Sequence, residues 1–475
     1  MTRSRALARN TSHRHRVPVS SPSYHFYHVH HVNARLGTAS SEKFERRSDM
    51  AVGAERTTLP STRIVDTDDP IVAQMRRLVQ AVEGTASLAQ GIVYYPPPEQ
   101  VLARVQAALG NPATQKVLNS YGADEGLLEL REALREKLAK ENGLHGVDVF
   151  VTHGAQQAFA NVVISLMDPD DEAVLFAPYY FNHKMAVQMC CRPESVLIGG
   201  YEEETLRPDV GWLEELMVAR SRDGVRLPKM VVVVNPSNPT GVLLQKEELQ
   251  KISDLCRLYG VWLVVDNTYE HFVFDGNEHS CVGGRHVVNI FSFSKAFGMM
   301  GWRQGYLAYD HDAGLADSDA TLALRSLDEA NPGLGWSILK VQDTVPICAT
   351  ILSQYASLGA MEAGRGWVEE KVKMLDENRK MVLEAVGCLG EKNIAPSQGA
   401  IYVFCRLPEK HQDDLKVVEW LVRRHKVCVI PGGSCGAPGY VRIAFGNLSA
   451  DECREACGRL RMGLIELMES DTLTF

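Results

Sequence analysis

One lysine offers the clearest route to chemistry in this sequence. The segment NIFSFSKAFGMMGWRQGY, which begins at Asn289, predicts a buried strand, then Lys295, then a glycine-rich turn that ends at Arg303. An ammonium group that loses solvation titrates low enough to act as a nucleophile or a base. One use for such an amine is a Schiff base with an aldehyde cofactor. Taken alone, the segment is explained better by an ordinary strand followed by a solvated loop with scattered Lys and Arg.

A phosphate-bearing cofactor would need donors for its phosphate, and the sequence offers two groups of them. Ser292 supplies a hydroxyl and Arg303 a permanently charged, two-pronged donor. Upstream, VDVFVTHGAQQAFANVV predicts a strand, a glycine turn and a helix, whose first N–H groups at Ala155 and Gln156 would form a phosphate site. Such units are common in α/β proteins, so the second group is weak evidence alone. Together the groups favour pyridoxal phosphate, an electron sink, as cofactor.

Residues that could contact a ligand follow four predicted strands at the point where each strand ends. They are Gly154, Asn238, Asp266 with Tyr269, and Ser292 with Lys295. Ligands of open α/β sheets bind beyond these carboxyl ends, so we expect one site there. A buried aspartate is costly unless it meets a cation, and Asp266 would hold a protonated pyridine nitrogen. Asn238 and Tyr269 would donate to the ring's phenolate oxygen, lowering the basicity of the imine. The alternatives are an Asx turn at Asn238 and a helix cap at Asp266.

Four further residues are candidates of lower specificity. Tyr180 follows the strand EAVLFAP and could lay its ring on a planar cofactor, although aromatic residues there more often pack. Gly91 permits close approach of a ligand to the backbone, although a turn glycine is the commoner explanation. Alternating apolar residues in GYVRIAFGN leave Arg442 on the opposite face, where it suits bidentate capture of an α-carboxylate. The alternative is a surface arginine on an edge strand. Tyr121 lies on a loop and could reach a neighbour.

Helix signals frame the first part of the chain. DTDDPIVAQMRRLVQAV carries aspartates before Pro70 and apolar residues at helical spacing, which predicts a capped amphipathic helix. In SYGADEGLLELREALREKLAKENGL, leucines recur at helical spacing and Gly143 is predicted to end the helix. The continuous apolar run PKMVVVV fits a parallel sheet that is covered on both faces.

Composition narrows the class of protein. A chain of 475 residues with 45% hydrophobic and 23% charged residues can form a large core and favours two domains. Its formal net charge of -9 gives no electrostatic reason to expect nucleic acid or an anionic membrane as a partner. The 11 cysteines are scattered without CxxC pairs, which favours reduced thiols in a reducing compartment and predicts no metal site. No apolar run reaches the length of a membrane span.

The N-terminal stretch differs from the rest. Residues 1–41 contain six Arg and six His but no Asp or Glu, and they show no sustained apolar periodicity. This composition predicts a disordered extension over residues 1–62. An organelle transit peptide has a similar composition. An unstructured extension, or an upstream region before a start at Met50, is the alternative. We therefore expect a cytoplasmic protein, with plastid or mitochondrion as the alternative if residues 1–50 act as a transit peptide.

The motifs NPSNPTG, DNTY, SFSKxFGxxGWR and YVRIAFG, in this order and spacing, resemble the class I/II aminotransferases of pyridoxal phosphate fold type I. The resemblance covers residues 63–475, and phrases such as SLAQGIVYY, VDNTYE and VQDTVPICA are most similar to plant-type aromatic/methionine aminotransferases. It implies an α/β fold with a mostly parallel seven-stranded sheet between helices in a large domain, residues 105–345. A smaller α+β domain would be formed by both chain ends, residues 63–104 and 346–475.

The resemblance also implies a role for each matching residue. Lys295 would be the Schiff-base lysine, Asp266 the pyridinium partner, and Asn238 and Tyr269 the ligands of the phenolic oxygen. The phosphate cup would be formed by Ala155, Gln156, Ser292 and Arg303, and the stacking aromatic would be Tyr180. Tyr121 matches a tyrosine that reaches the phosphate of a partner subunit, which implies a homodimer with its active site at the subunit interface. Gly91 and Arg442 would contact the substrate.

The implied reaction moves an amino group from an aromatic amino acid or methionine to a 2-oxo acid by a ping-pong aldimine/ketimine mechanism. Lys295 would take the α-proton as general base and return it to the cofactor's C4′ carbon. A lyase or an aminocyclopropane-forming synthase on the same fold would keep the same cofactor ligands and is the first alternative. A non-catalytic regulator is the second, but it would need a helix-turn-helix ahead of residue 63, where no such periodicity occurs.

One segment departs from the family pattern. Residues 311–336, HDAGLADSDATLALRSLDEANPGLGW, are polar, rich in turn residues and longer than the connection that the resemblance implies. We expect a surface insertion or a gene-model artefact. Because the following segment should lead toward the active-site cleft, this departure bears on the shape of the pocket.

Overall fold

The computed structural model describes residues 58–314 and 333–474, and its largest element is a sheet of seven strands. The described strands are β1 (Ala86–Ser87), β2 (Val147–Thr152), β3 (Ala173–Phe176), β4 (Val196–Gly199), β5 (Met230–Val234), β6 (Trp262–Asp266), β7 (Val287–Ser292), β8 (Gly305–Asp310), β9 (Tyr402–Arg406), β10 (Val427–Cys428), β11 (Ile430–Pro431) and β12 (Tyr440–Ala444). Most of the predicted extension and most of the predicted insertion lie outside the described residues.

Helices surround these strands. They are α1 (Thr62–Val65), α2 (Ile71–Ala81), α3 (Glu99–Gly110), α4 (Pro112–Leu118), α5 (Leu128–Asn142), α6 (Ala155–Leu166), α7 (Phe181–Cys190), α8 (Val210–Arg222), α9 (Lys246–Tyr259), α10 (Gly333–Thr344), α11 (Ile351–Val386), α12 (Asp414–Trp420) and α13 (Ala450–Glu469). Within residues 58–314 and 333–474, no helix is both long and apolar enough to span a bilayer.

The seven-stranded sheet has the order β2-β8-β7-β6-β5-β3-β4. β8 runs antiparallel to both of its neighbours, and the remaining pairs are parallel. The predicted α/β fold with a mostly parallel seven-stranded sheet is therefore confirmed. Because β2, β5, β6 and β7 run in the same direction, their carboxyl ends meet at one edge, where the residues singled out from the sequence follow them.

The continuous apolar sequence of β5 follows from burial on both faces. Val232 packs into a core with α6 and α7, whereas Val231 and Val233 pack into a second core with α8 and α9. A strand covered on both sides has no solvent face, so it gains stability from apolar side chains at every position. The prediction of a covered parallel strand is confirmed.

Segments from both ends of the chain come together beside this sheet. β1 pairs in parallel with β10, with Ala86 opposite Val427. β9, β11 and β12 form an antiparallel sheet in the order β11-β12-β9, and α3 packs along α11. The described residues from Pro60 onward form one compact unit by their contacts. The division into 63–104, 105–345 and 346–475 stays a prediction.

Two helix ends show how far local signals reach. α5 ends at Gly143 with a φ of 65°, as predicted. α2 is present, but the predicted aspartate cap is wrong, because Pro70 occupies the N-cap position and no side chain caps the helix. The Asp68 carboxylate is instead 2.6 Å from Lys184 Nζ and accepts a hydrogen bond from Gln188 on α7. A long-range contact has replaced the local one.

We expect Gly241→Ala to destabilise the fold strongly. Gly241 ends the NPSNPTG turn after β5 with a φ of 74°, and a Cβ there would lie 2.6 Å from the carbonyl oxygen of Tyr402 on β9. The left-handed backbone costs about 1–2 kcal/mol for a residue with a side chain, and the collision adds about 1–3 kcal/mol. Urea unfolding, followed by circular dichroism, measures the loss.

Gly276→Ala is the matched control. Gly276 has a nearly identical φ of 73°, but a Cβ there would have no atom within 4 Å. Only the backbone cost should appear in this variant. Equal losses of stability in the two variants would contradict the proposed contact between the turn and β9.

Candidate active site

A cavity of about 370 Å³ lies at the carboxyl edge of the large sheet. Its lining includes every predicted site residue except Tyr121, namely Gly91, Ala155, Gln156, Tyr180, Asn238, Asp266, Tyr269, Ser292, Lys295, Arg303 and Arg442. It also includes Val72, Gln90, Ile92, Phe181, Asn182, Val234, Thr268, Ser294 and Tyr402, none of which the sequence singled out. The volume falls in the range of small-molecule sites.

Lys295 follows the end of β7 and directs its amine into this cavity. Burial lowers the pKa of Lys295 to about 8, and the positive charges of Arg303 and Arg442 act in the same direction against the carboxylate of Asp266. The main chain at this position is held by the Tyr95 hydroxyl, which donates to the Lys295 carbonyl oxygen at 2.8 Å. The amine of Lys295 is thus held in place by its main chain, and it is largely neutral at slightly alkaline pH. Nucleophilic chemistry requires the neutral form.

Asp266 ends β6 and is 5% exposed. Burial raises the pKa of Asp266, but contacts with His183 and Thr268 outweigh it and hold the pKa below its usual value. His183 Nε2 lies 3.2 Å from one carboxylate oxygen, and the Thr268 N–H donates to the other at 2.9 Å. His183 is itself fixed by stacking on Phe159, with ring centroids 4.0 Å apart. The cavity therefore contains a permanent negative charge.

Arg442 lies on β12, the central strand of the three-stranded sheet, and is 2% exposed. The edge-strand surface alternative is therefore wrong. Its Nη1 donates to Asn238 Oδ1 at 2.9 Å and its Nη2 to the Ala89 carbonyl oxygen at 2.8 Å. Arg442 Nε is buried without a hydrogen-bond partner among the described residues. An unpaired buried donor is costly, so this nitrogen suits an anionic ligand such as a carboxylate.

The contact between Arg442 and Asn238 also orients the asparagine. A guanidinium group only donates hydrogen bonds, so Asn238 must present its oxygen to Arg442. The NH₂ group of Asn238 then remains available as a donor. This is the orientation that a ligand oxygen in the cavity would need.

A second group of hydrogen-bond donors lines the cavity and suits an anion. α6 begins at Ala155, directly after Gly154, and its first N–H groups are free of helical partners. Arg303 lies beside it, because its Nη2 donates to the His153 carbonyl oxygen at 3.2 Å. A Cβ on Gly154 would come within 2.6 Å of that Nη2. A glycine at 154 therefore lets a guanidinium approach the helix N-terminus, where Ser292 adds a hydroxyl.

Three tyrosines contribute hydroxyl groups to the cavity wall. The Tyr269 and Tyr402 hydroxyls are 2.6 Å apart, and the Tyr180 hydroxyl accepts a hydrogen bond from Asn182 at 2.8 Å. A Cβ on Gly91 would lie 2.0 Å from the Tyr402 hydroxyl. The absence of a side chain at Gly91 thus leaves room for the Tyr402 hydroxyl, and Gly91 also lines the cavity.

Tyr121 lies apart from these residues. Its side chain is 81% exposed, and it does not line the cavity of its own chain. The prediction that it reaches a partner subunit stays a prediction.

Sequence reasoning missed two residues that the geometry makes prominent. His183 contacts Asp266, and Tyr402 contacts both Tyr269 and Gly91. Neither falls at a spacing that separates it from an ordinary core residue, so no signal in one sequence would have found them. Within the described residues, no group of three or more His, Cys, Asp or Glu side chains is placed to hold a metal ion.

Comparisons with known proteins agree on one family. The family model for aminotransferase class I and II matches residues 84–460. An aromatic aminotransferase of Arabidopsis thaliana is 45% identical over 408 residues, which cover 86% of this chain and 97% of that relative. The solved aromatic aminotransferase from Pyrococcus horikoshii has a TM-score of 0.68 at 27% identity, covering 82% of this chain and 99% of the other. Aspartate aminotransferase from Thermus thermophilus with maleate has a TM-score of 0.72 at 26% identity, covering 86% and 100%.

We expect reductive methylation of Lys295 to rise with pH around a midpoint of about 8, well below the value near 10.4 of an ordinary lysine. The neutral amine is the reactive form, and burial favours it. Formaldehyde with cyanoborohydride, applied to protein freed of bound aldehydes and followed by peptide mass spectrometry, measures the profile.

Asp266→Asn provides the internal comparison for this profile. Removing the carboxylate removes the one neighbour that favours the charged amine, so the midpoint should fall further. A midpoint near 10 in the wild-type protein, or no change in the variant, would contradict the electrostatic description of the cavity.

Proposed function

The chain belongs to the class I and II aminotransferase family, and from this we propose that it moves the α-amino group of an aromatic amino acid or methionine to a 2-oxo acid with pyridoxal phosphate as cofactor. The observation that carries the proposal is the composition of one cavity. It holds a low-pKa amine on Lys295, a permanent anion on Asp266, an anion cradle at Arg303 and an unpaired donor on Arg442.

The donor set fits pyridoxal phosphate group by group. The N-terminus of α6, Ser292 and Arg303 would hold the phosphate. Asp266 would pair with the ring nitrogen, because a buried carboxylate that stays ionised favours a protonated partner. The NH₂ group of Asn238 and the hydroxyl of Tyr269 would donate to the ring oxygen. Tyr180 would lie against the ring.

When bound, pyridoxal phosphate supplies an electron-withdrawing ring that stabilises the charge left when the substrate loses its α-proton. The chain supplies the remainder. Lys295 Nζ removes the proton from the substrate α-carbon, which its low pKa allows near neutral pH. Asp266 keeps the ring nitrogen protonated, since its own pKa is held low by His183 and Thr268. Arg442 binds the α-carboxylate through its unpaired Nε and orients the α-carbon.

The cavity wall supports an apolar substrate side chain. Val72, Ile92, Phe181 and Tyr402 contribute apolar surface. The cations among the described lining residues are Lys295, Arg303 and Arg442. In this proposal they already act as the base, the phosphate ligand and the α-carboxylate ligand, respectively. No further cation of the described cavity lining is left for the second carboxylate of a dicarboxylic acid. Aromatic residues and methionine both suit such a wall, which discriminates poorly between apolar side chains.

We also place this function in a homodimer. Tyr121 is exposed and outside its own cavity, as a residue that serves a neighbouring subunit would be. The resemblance supports the phosphate of the partner's cofactor as its target. The cytoplasm is the proposed compartment, with plastid or mitochondrion as the alternative, since the segment that would decide it lies outside the described residues.

We expect the purified protein to show a visible cofactor band that tryptophan, phenylalanine, tyrosine and methionine convert to a pyridoxamine-like band, with formation of the corresponding 2-oxo acid. Aspartate should convert it far less readily, because its second carboxylate would meet an apolar wall. Absorbance titration with product analysis ranks the donors.

Two outcomes of this titration would contradict the proposal. Release of ammonia or an elimination product would indicate a lyase, and efficient conversion by aspartate alone would overturn the substrate class. Lys295→Ala should give no 2-oxo acid at all, whereas Lys380→Ala, at a lysine whose side chain is 68% exposed, should behave as wild type.

We expect Asp266→Ala to lower kcat by about 10²–10³-fold, equivalent to about 3–4 kcal/mol of barrier, the usual cost of losing a principal electrostatic stabiliser. The reason is loss of the anion that keeps the ring nitrogen protonated. Single-turnover kinetics with a saturating amino donor measure this effect apart from product release. Asp471→Ala is the control, because that side chain is 92% exposed. A loss confined to KM would contradict the role assigned to Asp266.

A further inference from the structure

The hydroxyl of Tyr402 is the one hydrogen-bond partner that the described residues give to the hydroxyl of Tyr269. Both side chains are buried, with exposures of 2% and 3%, and their rings meet edge to face with centroids 5.5 Å apart. A phenolic hydroxyl has one proton to donate. If Tyr269 is to donate to a ligand in the cavity, it must accept from Tyr402.

The position of Arg442 decides the direction of this hydrogen bond. Its guanidinium carbon lies 4.4 Å from the centroid of the Tyr402 ring. Burial raises the pKa of both phenols, but the cation opposes this rise more effectively at Tyr402, and the pKa of Tyr269 stays well above its usual value. Tyr402 is therefore the more acidic phenol and the better donor. The proton of Tyr269 is left free to point into the cavity.

Gly91 fixes the position of the Tyr402 hydroxyl. A Cβ at position 91 would lie 2.0 Å from the hydroxyl oxygen and 3.0 Å from the ring carbon that bears it. The Tyr402 ring has little freedom to turn away, because it is held between Arg442 and the ring of Tyr269. A glycine at position 91 is thus what allows the two hydroxyls to meet.

We propose that Tyr402 is a positioning residue for the transamination: its hydroxyl donates to Tyr269, so that Tyr269 donates its own proton to the phenolate oxygen of the bound cofactor. The proposal rests on the function proposed above. Hydrogen bonds in series polarise one another, by about 10–30% per bond. Tyr402 would therefore strengthen the donor that lowers the basicity of the imine nitrogen, without touching the cofactor at this oxygen itself.

The test is the pH titration of the visible band in the Tyr402→Phe holoenzyme. The variant keeps the ring and loses only the hydroxyl. We expect the midpoint to move upward by roughly 0.1–0.7 pH unit, the shift that corresponds to 10–30% of a charge-assisted hydrogen bond. If Tyr269 instead donated to Tyr402, the substitution would release that proton to the cofactor and move the midpoint downward. A downward shift or no shift overturns the proposal.

A double-mutant comparison separates a relay from a direct effect. Tyr269→Phe should raise the midpoint on its own, and adding Tyr402→Phe to it should then change nothing further, because the intermediate hydroxyl is gone. An equal shift in both backgrounds would overturn the relay. Gly91→Ala should raise the midpoint as Tyr402→Phe does, because a Cβ there displaces the hydroxyl.

Tyr440→Phe is the matched control. Tyr440 lies on the same sheet, with its ring stacked on Phe404 at 5.1 Å, and it does not line the cavity. The visible band of the Tyr440→Phe variant should titrate with the same midpoint as that of the wild-type protein. Thermal unfolding of each variant checks that the fold is retained. A wild-type protein without a visible band would overturn the proposed function and the relay together, whereas a normal band with no upward shift in Tyr402→Phe overturns the relay alone.

Discussion

The burial of one guanidinium group is the constraint on which the site depends. Arg442 is almost fully enclosed, and removing such a cation from water costs several kcal/mol unless acceptors surround it. Its acceptors are the side chain of Asn238 and the main chain of Ala89, and the ring of Tyr402 lies against it. These partners come from three separate segments. The contacts with Arg442 therefore hold the loop after β5, the segment before Gly91 and the strand β9 together at the same edge of the large sheet. They leave the Nε of Arg442 without a partner among the described residues, so it is available to a ligand.

The charges at the centre of the cavity complement this arrangement. Asp266 stays ionised because His183 and Thr268 outweigh its burial, whereas at Lys295 burial outweighs the opposing charge of Asp266 and the amine is neutral above about pH 8. Burial lowers the pKa of Lys295 directly, whereas at Asp266 burial raises the pKa and the contacts with His183 and Thr268 reverse that effect. The result is a fixed anion near a neutral amine. That pairing is what a cofactor with a protonated ring nitrogen and an electrophilic aldehyde requires.

Much of this could be predicted from the sequence, because parallel strands bring their carboxyl ends together whatever their separation along the chain. Asn238, Asp266 and Lys295 were found for that reason. Residues that act through tertiary contacts were not: His183 and Tyr402 have no periodic signal of their own. The cap predicted at the start of α2 was wrong, because Asp68 found partners on α7 that a local rule cannot see.

The same long-range contact links two parts of the cavity lining, Val72 and Tyr180. Val72, on the first turn of α2, forms part of the cavity wall, and the chain just before it is held by Asp68. Gln188 pairs with both the N–H and the carboxylate of Asp68, at 3.2 and 3.0 Å. The ion pair of Asp68 with Lys184 is half exposed and adds little energy, so these directional bonds do the positioning. Since α7 starts directly after Tyr180, the cavity wall at Val72 and the ring of Tyr180, which we propose faces the cofactor, are tied to one helix, and a shift of α7 would move both together.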